Sequence, residues 1–199
     1  MDKTYLKSIL FNVLGAVLLG VGCLLYLSAN IGSDAMTTFS QGISVITNLS
    51  FSLCYYGLNV IMMIIAIIMD RKQIGWGTII FPAVAAVTIQ VGSAFIPLTT
   101  GWLCYPVFIL GLILISFAVA LASKAICGKN PNDAMNFAIM KKVNKDYSIV
   151  RSSVDAIMLI AGILLHGTWG IGTVLAVVLT GVIASKFMKV LDKIIVFNT

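Results

Sequence analysis

NIGSDAMTTFSQGISVITN, residues 30–48, is a polar, helix-capable interruption in an otherwise apolar chain, and it recurs. About a hundred residues on, the chain reads NPNDAMNFAIMKKV, residues 130–143. The shared core is Asp34-Ala35-Met36 against Asp133-Ala134-Met135, each copy following one long apolar run and preceding another. Gly32-Ser33-Asp34 and Asn130-Pro131-Asn132-Asp133 both read as helix starts: a break, a capping side chain, then an acidic residue in the first turn.

A second signature follows each copy in the same order. Gly75-Trp76-Gly77-Thr78 comes after the first and Gly170-Ile171-Gly172-Thr173 after the second, each separated from its D-A-M core by one apolar run. The chain therefore divides into repeat A, about residues 8–97, and repeat B, about residues 103–196, within one membrane domain covering 1–199.

Composition fixes the solvent. Hydrophobic residues make up 60% of the 199, charged residues only 10%, and mean hydropathy is +1.06, more apolar surface than a soluble domain of this length can bury. Six runs have the roughly 17–25 residues that span a bilayer, at residues 8–29, 53–69, 77–97, 103–127, 149–166 and 171–187. The fold expected is an all-α polytopic membrane protein of six transmembrane helices, built as two inverted 3+3 repeats. Each repeat carries one short helix, for which two placements stay open: re-entrant, or lying at the interface.

Charge sets the orientation. All 13 basic residues precede the first span, lie between spans two and three or around the segment between spans four and five, or follow the sixth; residues 30–52, 98–102 and 166–170 contain none. The positive-inside rule then puts both termini in the cytoplasm. The same distribution assigns the net charge of +6 to one membrane face and to anionic lipid, not to nucleic acid.

Cys23, Cys54, Cys104 and Cys127 stand singly, and His166 is the one histidine, so packing thiols are expected and no metal or other cofactor. Lys3 and Lys7 before an apolar run resemble a signal peptide, but the run continues to Ala29, too long for one. His166, at the end of span five, reads as a solvated interfacial residue.

Asp155 lies in span five, seven residues beyond Ser148, where an ionisable group is costly. Asn59 is opposite it when the repeats are aligned, and Arg151, one turn earlier, can pair with it at i, i+4. The expected substrate-binding set is Gly32, Ser33, Asp34, Asn132, Asp133, Asn59, Asp155, Gly77, Thr78, Gly172 and Thr173, with Asp155 also the coupling group. Two helix N-termini facing one centre would favour an anion.

The S-D-A-M and N-P-N-D-A-M breaks after Gly32 and Gly128, with G-W-G-T and G-I-G-T opening later spans, resemble the YczE/YyaS/YitT-like family of bacterial integral membrane proteins. The similarity covers nearly the whole chain. It departs at Ser33, where the family usually has a proline-bearing turn, and at Asp155, where glutamate is more usual. The resemblance implies a multi-pass, transport-related protein of the bacterial cytoplasmic (inner) membrane and names no substrate.

The leading expectation is a small secondary transporter or exporter of a small polar or anionic solute. The alternatives are a substrate-binding membrane subunit needing an energising partner, and a regulatory or assembly protein acting through the basic segment 129–151. An enzyme is not expected: no nucleophile and base pair, metal cluster or phosphate loop can be read. Partners are the lipid bilayer, a small-molecule or ion substrate and, for a chain of 21.3 kDa, a second copy as a homodimer; no nucleic acid is expected.

Overall fold

The computed structural model describes residues 3–71 and 74–194. Lys72, among the residues used for orientation, lies outside the described residues, as do positions 195–196 of the second repeat. Eight α-helices follow in order among the described residues: α1 (Lys3–Ala29), α2 (Ala35–Thr47), α3 (Phe51–Met69), α4 (Trp76–Gly92), α5 (Cys104–Lys124), α6 (Pro131–Val143), α7 (Tyr147–Leu164) and α8 (Ile171–Ile194). One 3-10 turn, Gly101–Leu103, leads into α5.

Four stretches are long and apolar enough to cross a membrane, Tyr5–Ala29, Phe51–Met69, Gly101–Lys124 and Ile171–Lys193, and Trp76–Gly92 is a shorter apolar helix. α4 ends at Gly92, five residues before the expected limit of 97, in a turn that carries the chain towards Pro97. α8 runs beyond residue 187 because Lys186, Lys189 and Lys193 do not interrupt a helix whose end is wet.

The breaks are made by backbone chemistry. α1 stops where Asn30 and Gly32 adopt positive φ, at 51° and 116°, a region that suits glycine and asparagine. The stretch after α5 does the same through Gly128, φ 123°. Both short helices end on a left-handed asparagine, Asn48 for α2 and Asn144 for α6, the C-terminal stop that asparagine shares with glycine.

Each short helix starts buried and ends exposed. In α2, Ala35 to Thr38 are buried and Val45 to Thr47 exposed; in α6, Pro131 to Asn136 are buried and Lys141 to Val143 exposed.

α1 packs on α5 and α4, α5 on α8, α2 on α7, and α3 on α6 and α4. α1 and α5 cross where glycines let backbones meet: a Cβ on Gly22 would stand 3.1 Å from Gly111 O, and one on Gly111 3.1 Å from Gly22 O. Tyr26 stacks on Phe108 beside this crossing, ring centroids 4.7 Å apart. Outside, Ile68, Trp76, Phe95, Trp102, Ile157 and Trp169 are exposed. An apolar exterior with tryptophans near the helix ends is the surface that a membrane protein turns to lipid.

Candidate functional site

Two glycine joints hold the breaks in place. Gly172 N–H donates to Ile31 O at 2.9 Å, and Thr173 Oγ1 accepts from Ser33 N and Gly170 N, each at 3.2 Å. At the other joint, Gly77 N–H donates to Cys127 O at 2.8 Å, and Thr78 Oγ1 accepts from Gly75 N at 3.2 Å. Gly32 cannot be larger here: a Cβ would fall 2.5 Å from Thr173 Oγ1. Gly32, Ser33, Gly77, Thr78, Gly172 and Thr173, all expected in the substrate set, thus sit at joints. None of them lines the cavity described next.

That cavity, of about 500 Å³, lies among α2, α6, α7 and α8 with α1 and α5 behind. The starts of both short helices border it, through Asp34, Ala35 and Met36 from one and Asn130 and Asn132 from the other, with Arg151, Ser152 and Asp155 from α7. Its other end reaches Ser123, Ser185 and Met188, next to Lys124, Lys186 and Lys189. α3 packs along α4, whereas the matching pair α7 and α8 barely touch, and the cavity fills the space between them.

Charges knit this wall together. Arg151 Nη1 donates to Asp133 Oδ1 at 2.8 Å, and its Nε lies 3.7 Å from Asp155 Oδ2. The i, i+4 pair expected within α7 is present, but the shorter contact reaches α6. Arg151, which the sequence offers as a partner of Asp155, thus joins two of the expected site carboxylates, Asp133 and Asp155. Asp34 caps α2, its Oδ1 accepting from Thr37 N at 2.8 Å. In α6 the cap is Asn130, with Pro131 opening the helix and Asp133 in its first turn. The two D-A-M copies therefore differ: the first aspartate is the cap, the second lies inside the helix.

Asn132 Oδ1 accepts from Asn136 Nδ2 at 3.1 Å. Asn59 is fully buried with Nδ2 turned back to Tyr55 O at 2.8 Å; its neighbour Tyr55, not Asn59, lines the cavity. Lys129 places its Nζ 3.9 Å from the centroid of the Phe137 ring, another cavity side chain. Burial lowers the Lys129 pKa from the ordinary lysine value, with the Asp133 carboxylate opposing.

Other polar and thiol side chains fall elsewhere. His166 is exposed at the end of α7 with φ 65°. All four cysteines are buried and free. Gln90 accepts from Ser52 Oγ, tying α4 to α3, and Asn12 Nδ2 reaches Gly128 O at 3.5 Å.

Comparison with known proteins follows the same division into fold and unknown activity. The Family of unknown function (DUF6198) matches residues 6–189. An uncharacterized protein of Haemophilus influenzae is 25% identical over 189 residues, covering 94% of this chain and 86% of its own length. The uncharacterized protein YyaS of Bacillus subtilis is 24% identical over 191 residues, 90% of this chain and 92% of its own. The uncharacterized membrane protein YczE of Bacillus subtilis is 34% identical over 77 residues, 39% of this chain and 36% of its own. No solved structure matches the chain.

Proposed function

The chain belongs to the family of unknown function DUF6198, and for this membrane protein we propose the role of a small secondary transporter of a polar solute across the bacterial cytoplasmic membrane. The observation that carries the proposal is the cavity at which both short-helix starts meet two carboxylates and a guanidinium, Asp34, Asp155 and Arg151. Buried charge is expensive in a membrane, about 2.5–3.5 kcal/mol for one unpartnered group near its centre. Asp34, Arg151 and Asp155 line a space, with Asp133 bound to Arg151 behind it, instead of being replaced by apolar side chains.

On this reading α1, α3, α4, α5, α7 and α8 are the six spans, arranged as two inverted halves, α1–α4 and α5–α8. The exchange of joints supports the duplication: each G-x-G-T segment grips the break of the other half. Packing repeats in the same sense. α1 on α4 has its counterpart in α5 on α8, and α2 on α7 in α6 on α3. The two short helices re-enter the membrane from opposite faces, burying their starts and leaving their ends wet.

The halves then differ in one respect that bears on mechanism. The α7–α8 seam is open and the α3–α4 seam is closed. In a transporter of inverted repeats such a difference is one access state, and exchanging the two conformations gives the other. One end of the cavity lies at Ser123, Ser185 and Met188, next to lysines in the sequence; on this reading that end opens to the cytoplasm, with both termini on that side. Asp155, on the open seam beside Arg151 and near Asp34, Asp133 and Tyr55, is the coupling carboxylate.

A thermal-shift screen of the detergent-purified protein against small polar solutes of both charge signs tests the reading. Binding to the folded state alone stabilises by about 2.7 kcal/mol at a hundred times the Kd. At least one solute should raise the melting point, and Asp155→Asn should weaken that shift. A screen blank for every solute would contradict a solute-binding cavity.

A further inference from the structure

Resting on the transporter reading, we propose that the cavity takes a small organic cation, its ammonium or guanidinium group held against Asp34 and Asp155 and its apolar body lying along α5 and α8. Two helix N-termini at one centre would ordinarily favour an anion. Here those ends are already engaged. Asp34 accepts from the Thr37 amide of its own helix at 2.8 Å. In α6 the Asn130 side chain accepts from Asn132 N, and the Asp133 carboxylate sits in the first turn.

The charge balance points the same way. Two carboxylates, Asp34 and Asp155, line the cavity with one guanidinium, Arg151, which lies 3.7 Å from Asp155 and is bound at 2.8 Å to Asp133, itself outside the lining. Lys129, near Asp133, rests on the Phe137 ring. The lining carboxylates outnumber the lining cation, a composition that favours a cation over an anion.

Thr180 also lines the cavity, with the Tyr26 hydroxyl beside it. Beyond the polar end the wall is apolar, through Leu19, Ile115, Val119 and Val177. A cation with a hydrocarbon body matches both ends.

The test uses two probes of one shape and opposite sign, benzylammonium and benzoate, in thermal melts of the full-length protein in detergent. Benzylammonium should raise the melting midpoint and benzoate should not. Asp34→Asn is the decisive variant, because asparagine caps a helix as well as aspartate does while removing the charge. It and Asp155→Asn should melt normally without probe and raise the half-saturating benzylammonium concentration by about tenfold or more, the equivalent of one lost charge contact. Asp192→Asn, at an exposed carboxylate paired with Lys124, should leave the benzylammonium shift unchanged. Stabilisation by benzoate, or by neither probe, overturns the cation assignment. Benzoate binding would leave a transporter of anions standing. With neither probe active, access of the cavity from both membrane faces decides the transporter reading on its own.

Discussion

At the scale of single residues, Arg151 has the largest predicted effect. It is shared by carboxylates on two helices, with Asp133 almost fully buried behind it. Removing one member of a buried pair leaves an uncompensated charge, at a cost of about 3–5 kcal/mol. Arg151→Met should therefore lower stability by that order in a denaturation series, and adding Asp133→Asn should recover part of the loss; equal stability of the single variant and wild type would remove the bridge from the fold. Gly32 offers a second test. Gly32→Ala meets both a positive φ of 116° and Thr173, and a strained backbone alone costs about 1–3 kcal/mol. Gly57→Ala, with open space around it in α3, should be neutral or gain the few tenths to about 1 kcal/mol that separate alanine from glycine in a helix. Parallel melts of the two variants check the contrast.

At the scale of elements, the joints between breaks and helix starts should respond alike on the two sides of the molecule. Thr173→Val removes the acceptor for Ser33 N and Gly170 N, and Thr78→Val the acceptor for Gly75 N. Each lost hydrogen bond is worth about 1 kcal/mol, so the Thr173 variant should be the more damaging. Since the two sites share no partner, the double variant should show additive losses; strong non-additivity in chemical denaturation would deny that the joints are separate. These joints also show where the sequence ran out. The helices were legible because apolar run length, proline, asparagine and glycine act locally, so α2 and α6 fall within the two stretches marked by D-A-M. The contacts were not, since Thr173 meets Ser33 across 140 positions and Arg151 meets Asp133 from another helix. Asn59 was expected at the site from repeat alignment alone, and its amide instead folds back on Tyr55 within its own helix. The D-A-M register misled at Asp34 for a similar reason: Pro131 starts α6 early enough to leave Asp133 in the first turn, as expected, whereas α2 starts only at Ala35 and makes Asp34 the cap itself.

At the scale of the whole molecule, the surface and the cavity together carry the proposed function. An apolar exterior makes this a membrane protein, and the lysines on one proposed face give it a direction. A reporter active only in the cytoplasm, fused after Thr199, should be active, and one active only outside should be silent. The difference between the α3–α4 and α7–α8 seams is the feature a transporter needs and a static binding subunit does not. Ser152 is exposed to the cavity on α7, while the four native cysteines are buried and give little background to a thiol reagent. The most direct measurement is therefore the labelling of Ser152→Cys by a membrane-impermeant maleimide applied separately to each face of sealed, oriented membrane vesicles. Alternating access predicts labelling from both sides, faster from the lysine-rich face that the present state opens to; labelling from that face alone, however long the exposure, would contradict it.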